Sequence, residues 1–162
     1  MARMGKVTRR AAAPTTGRAA RSRTPTEAQF AAFQAMYDYF NGALFGGTLR
    51  PVILNFSRAA GSLGFFAPQR WEQAKATTHE ISLNPAHLAT RSPRDVASTL
   101  VHEMVHCWQQ EHGTPSARGY HNKEWAAKME AVGLMPSDTG EAGGARVGFR
   151  MTHYVVEGGP FA

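Results

Sequence analysis

Cysteine is almost missing from this chain: Cys107 is the only one in 162 residues. No intramolecular disulfide can form, and a four-cysteine zinc ribbon is excluded within this sequence. Long apolar runs are missing too, since no stretch approaches the ~20 residues of a membrane-spanning helix. No apolar segment of the secretory-signal kind stands at the N-terminus. The expectation is an intracellular protein, cytoplasmic or associated with the nucleoid and DNA, with no membrane partner.

Acidic residues are absent from residues 1–25, which carry Arg3, Lys6, Arg9, Arg10, Arg18, Arg21 and Arg23. Taking those seven from the 18 Lys and Arg leaves 11 against 12 Asp and Glu. The net charge of +6 is therefore that of a nearly neutral domain with a basic arm. The arm is rich in Ala, Arg, Thr and Pro and has little to bury, so disorder is expected over 1–25. Such an arm could hold DNA through its phosphates. The alternatives are a solvated tail without a partner, and an organellar transit peptide, against which the lack of amphipathic pattern speaks. Residues 26–162, 43% of whose parent chain is hydrophobic, suit one domain with a core over about 26–135.

What the chain does have is H-E-x-x-H, as His102, Glu103 and His106. On a helix, positions i and i+4 share a face, roughly 5–6 Å apart at Cβ. Two imidazoles so placed can reach one zinc ion, at Zn–N near ~2.0–2.1 Å. Glu103 lies about 100° round the helix from His102, where it can meet a metal-activated water without being a ligand. Zinc lowers the pKa of such a water to about 7, and a carboxylate base takes its proton. The sequence supplies the helix. Ser92, Pro93 and Asp95 read as N-cap, first-turn proline and N3 acid. Val96, Ala97, Leu100, Val101, Met104, Val105 and Trp108 then follow, as in a helix buried on most sides. Polar groups inside such a run are costly without partners.

Upstream, Phe30, Phe33, Met36, Tyr37, Phe40 and Leu44 recur at helical spacing after Pro25-Thr26-Glu27, and Gly46-Gly47 ends the run. Three short strands follow at Val52–Phe56, Ser62–Phe66 and Glu80–Leu83. They are expected to make a small antiparallel sheet whose edge takes an extended peptide by strand addition. After the motif helix, 113–119 reads as loop and Tyr120–Trp125 opens another helix running to about Val132. Residues 136–146 read as irregular, in a C-terminal extension with a strand over 147–156.

These segments together resemble the SprT-like family of zinc metalloproteases. The resemblance runs from about Tyr39 to Val132. It rests on Tyr39-Phe40-Asn41, Gly64-Phe65-Phe66, Ile81-Ser82-Leu83, Leu100 to His106, and Gly119-Tyr120-His121-Asn122-Lys123-Glu124-Trp125. It implies an α+β, zincin-like fold: helix, three-stranded sheet, active-site helix, and a second ligand-bearing helix. It implies His102, His106 and His121 as ligands of Zn2+ and Glu103 as general base. The implied activity is a zinc endopeptidase whose substrates are proteins bound or crosslinked to DNA. Many relatives carry a cysteine-rich zinc ribbon after the protease domain, which this sequence cannot form.

Other residues compete for these roles. His112 stands six residues after His106, the spacing of the third ligand in H-E-x-x-H-x-x-G-x-x-H proteases. Gln109 replaces the glycine that would turn the chain, so the helix can continue and carry His112 off the site. Glu124 is a candidate carboxylate ligand, against a helix-start role. His79 and His87 read as strand or surface residues, and Cys107 as a small helix side chain. His153, beside Tyr154, is a candidate transition-state stabiliser that could bind an oxyanion. The alternative function is a non-catalytic, zinc-stabilised module for DNA binding or recruitment. A purely structural zinc site would use four protein ligands and no base.

Overall fold

The computed structural model describes residues 22–73 and 76–162. The basic arm lies, up to Arg21, outside the described residues. Its last residues belong to the fold, contrary to the sequence reading. Thr24 caps helix α1, Pro25–Phe45, its hydroxyl accepting from the Glu27 amide at 3.3 Å while the Glu27 carboxylate accepts from the Thr24 amide at 2.7 Å. This reciprocal box satisfies two helix-end donors. Gly46, at φ 63°, ends the helix in the left-handed region. Phe33, Tyr37 and Phe40 turn inward, while Phe30 stays largely exposed against Phe56.

The three expected strands form, as β1 (Ile53–Phe56), β2 (Gly64–Gln73) and β3 (Ala76–Leu83). Their order is β1-β3-β2, with β2 antiparallel and β1 parallel to β3. The sheet is thus mixed, not antiparallel as expected. The short 57–63 connection sends β2 back against the direction of β1, and the hairpin then returns β3 between them, parallel to β1. Ile81 and Leu83 face the helices and are buried. β2 is an edge strand. Gly64 is required there: a Cβ would meet the Ser82 carbonyl at 2.9 Å and Thr99 of the next helix at 3.3 Å. The bare backbone lets β2 lie against that helix.

That helix, α2 (Pro93–His112), is the central element. Ser92 caps it, accepting from the Asp95 amide at 3.1 Å. Leu100, Val101, Met104, Val105 and Cys107 are fully buried. Helix α3 spans Lys123–Ala131, its N-cap Asn122 accepting from the Trp125 amide at 3.0 Å. His121 therefore precedes the helix instead of riding on it. It is held by an isolated antiparallel bridge to Gly148. Strands β4 (Leu134–Ser137) and β5 (Thr152–Val155) form a second, two-stranded sheet. Residues 136 and 137, expected to be irregular, lie in β4, and the strand expected over 147–156 narrows to β5. The last residues close the same core, with Phe161 stacked on Phe40 at 5.3 Å. Among the described residues the fold is α+β, with three α-helices and two small sheets. Among the described residues no helix is long and apolar enough to cross a membrane.

Candidate metal centre

Three histidines from two places in the chain meet in one spot. His102 and His106 come from successive turns of α2, and His121 is brought over by its bridge to Gly148. One nitrogen of each lies within 4.8 Å of the others, close enough to share a metal ion. The ring centroids stand 5.2 Å apart for His102 and His106, 4.8 Å for His106 and His121, and 5.7 Å for His102 and His121. Trp125, fully buried on α3, packs against all three rings: 4.3 Å from His121, 5.1 Å from His102 and 5.5 Å from His106. The indole is a rigid wall that leaves the imidazoles few alternative positions. A sequence reading that takes Trp125 only as part of a helix start misses its part in the site.

Neutral imidazoles are the form that binds metals. Burial holds the pKa of His102 well below its usual value, helped by the neighbouring imidazoles. Burial, then His121, brings His106 down to about 3. His121 is lowered by burial, against the opposing effect of its hydrogen bond to the Gly148 carbonyl. The His121 Nδ1 lies 3.0 Å from the Gly148 carbonyl oxygen. A carbonyl can only accept, so the proton sits on Nδ1 and Nε2 is left for an ion. The donor set fits a borderline-soft divalent metal, with three nitrogen ligands and no fourth protein ligand among the described residues.

Glu103 is buried beside this cluster. Burial pushes its carboxyl up to about 8, against the Phe66 backbone N–H that donates to it. A cation beside it would bring that value down. The Phe66 donor comes from β2. The Asn84 amide bonds the Leu63 carbonyl at 2.8 Å, so alternate residues of β2 face β3 and the groups of Gly64 and Phe66 face outward. That outward edge borders a cleft of about 1020 Å³ containing His102, Glu103, His106 and His121. The opposite wall is Phe149 to His153, with Phe149 and Tyr120 in edge contact at 5.1 Å on the rim.

His153 of β5 enters from that wall, its Nδ1 3.1 Å from Nδ1 of His102. Burial, then the Arg91 guanidinium, lowers its pKa to about 4, against Asp95. The other candidates lie apart. His112 ends α2, its side chain 39% exposed and 3.7 Å from Glu111. Glu124 accepts from the Thr114 amide and from Gln109 Nε2, both at 2.7 Å, and so anchors the 113–119 loop. His79 is a buried strand residue accepting from the Gln69 amide at 2.9 Å, and His87 closes a short 3-10 turn. The Cys107 thiol is pushed up to about 12 by burial and by Glu111. That makes it unreactive.

A family model described as the SprT-like family matches residues 33–146, more than half of the chain. The match takes in the three clustered histidines and Glu103, and His153 lies beyond it. No curated protein matches the chain.

Proposed function

Because the chain belongs to the SprT-like family, we propose that it is a zinc-dependent endopeptidase of the zincin type. One observation carries this reading. His102, His106 and His121 converge while Glu103, buried and outside the ligand set, borders the same cleft. A structural zinc site has no use for a buried carboxylate placed there.

His102, His106 and His121 would hold the ion. When bound, zinc supplies Lewis acidity, polarising a carbonyl and making water acidic near pH 7. Glu103 takes the proton from the attacking water and passes it to the departing amine. Its environment suits both steps, since burial favours the protonated form and the cation the ionised one. The outward Gly64 N–H and Phe66 carbonyl on β2 receive an extended peptide by strand addition. The cleft runs past that edge, and the proposed substrate is an extended segment of a protein chain. DNA-bound or DNA-crosslinked proteins are the proposed targets, with the basic residues of the arm holding the nucleic acid.

The test is cleavage of a DNA-crosslinked protein, with and without single-stranded DNA, by wild type and Glu103→Gln. Glutamine keeps the shape and removes the base. The expected result is retained zinc and cleavage reduced ~10²-fold or more. Undiminished cleavage by the variant removes Glu103 from the mechanism. A wild type that binds zinc and cleaves nothing leaves the domain as a recruitment module.

A further inference from the structure

The contact between His102 and His153 is not explained by the metal role or by the general base. Two Nδ1 atoms 3.1 Å apart share one proton, so one ring donates and the other accepts. Nδ1 of His102 is turned to His153, which leaves Nε2 as its nitrogen for an ion. A neutral ligand bound through Nε2 carries its proton on Nδ1. His102 is then the donor and His153 the acceptor, and the proton of His153 is confined to its own Nε2.

We propose that His153 is the positioning residue of His102, acting as the hydrogen-bond acceptor that fixes its tautomer and ring orientation. This rests on the zinc reading above. The same stretch of chain serves a second ligand, for the Gly148 carbonyl accepts from His121 Nδ1. Residues 148–153 thus orient two of the three ligands, and His106 is left to the indole of Trp125. The strand gives His153 a firm mount: it lies inside β5, opposite Pro136 of β4. An imidazole acceptor also differs from the carboxylate often found in this position. It orients the ligand without adding negative charge beside an ion whose work depends on positive charge.

Asparagine and glutamine separate this role from oxyanion binding. The Oδ1 of asparagine falls near the position of histidine Nδ1 and can accept. The amide nitrogen of glutamine falls near Nε2 and can donate, but leaves nothing at Nδ1. Zinc affinity is measured by chelator competition on wild type, His153→Ala, His153→Asn and His153→Gln, with circular dichroism to check folding and kcat and KM determined alongside. The expected result is a 10–100-fold weaker zinc affinity for the Ala and Gln variants, the range for loss of such a partner. His153→Asn stays near wild type. Wild-type zinc affinity in all three variants overturns the proposal. So does restoration of kcat by Gln and not by Asn, which would assign His153 to the oxyanion. If the wild-type chain itself binds no zinc, the zinc reading falls first and this inference with it.

Discussion

His112 and His121 are rival candidates for the third ligand position, and what surrounds each favours His121. Helix α2 runs unbroken through Gln109 to His112, so His112 is carried past the site to a half-exposed end beside Glu111. His121 has its ring against Trp125 and its Nδ1 on the Gly148 carbonyl. His121→Ala should therefore lose bound zinc and cleavage, while His112→Ala keeps both. Metal content of the two purified proteins checks this, and the opposite pattern would give the third position to His112. The first histidine pair and Glu103 were legible because helix periodicity alone puts them together. His121 was legible only through the resemblance, since its place depends on a bridge to a residue 27 positions away. Nothing in the local sequence marks Gly148 as its partner. The anchoring role of Glu124 was equally hidden, because its partners, Gln109 and Thr114, arrive from another element.

At the scale of elements, helices were read better than strands. Caps and glycines mark helix ends within a few residues, as Ser92 and Gly46 do here. Strand direction has no such local mark. Val52 to Phe56 reads the same in a parallel or an antiparallel pair, and only the return of β3 between its neighbours settles it. Strand β4 was hidden for a related reason: it has four residues, one of them Pro136, and exists as a strand only through β5. The contact between β2 and α2 is the element-level feature on which Glu103 depends, since Phe66 of β2 donates to its carboxylate. Gly64→Ala tests it. The added Cβ meets the Ser82 carbonyl at 2.9 Å and Thr99 Cγ2 at 3.3 Å, and a backbone carbonyl in a sheet has little room to yield. The expected cost is about 1–3 kcal/mol, as for other overpacked sites. It is read as a lower urea midpoint with an unchanged slope, and a midpoint equal to wild type would mean that β2 moves off the helix freely.

For the whole molecule, the histidine cluster and Glu103 set how stability depends on pH. In the presence of a chelator, His102, His106 and His153 are held neutral in the fold, the latter two with values near 3 and 4. The unfolded chain protonates them near the ordinary value of about 6.5. Above that pH both states are neutral and nothing changes. As pH falls below it, only the unfolded chain takes up protons, so stability is lost progressively towards the folded-state values. Glu103 acts in the opposite sense. Its carboxyl keeps a proton up to about 8 in the fold and loses it near the ordinary carboxylate value when unfolded. Across the window from roughly 4.5 to 8, rising pH therefore favours unfolding through this one group. Below about 6.5 these imidazoles, with His121 lowered in the same sense, outweigh the one carboxyl; above it the carboxyl acts alone. Each net proton is worth about 1.4 kcal/mol per pH unit. The chelated protein should thus show its highest urea midpoint near neutrality, with a steep fall towards pH 4.5 and a shallow one towards pH 8. Zinc should flatten the alkaline side, because a cation beside Glu103 favours its ionised form. A midpoint that climbs steadily from pH 6.5 to 8 in chelator would show that Glu103 is not the buried, proton-holding acid that its surroundings make it.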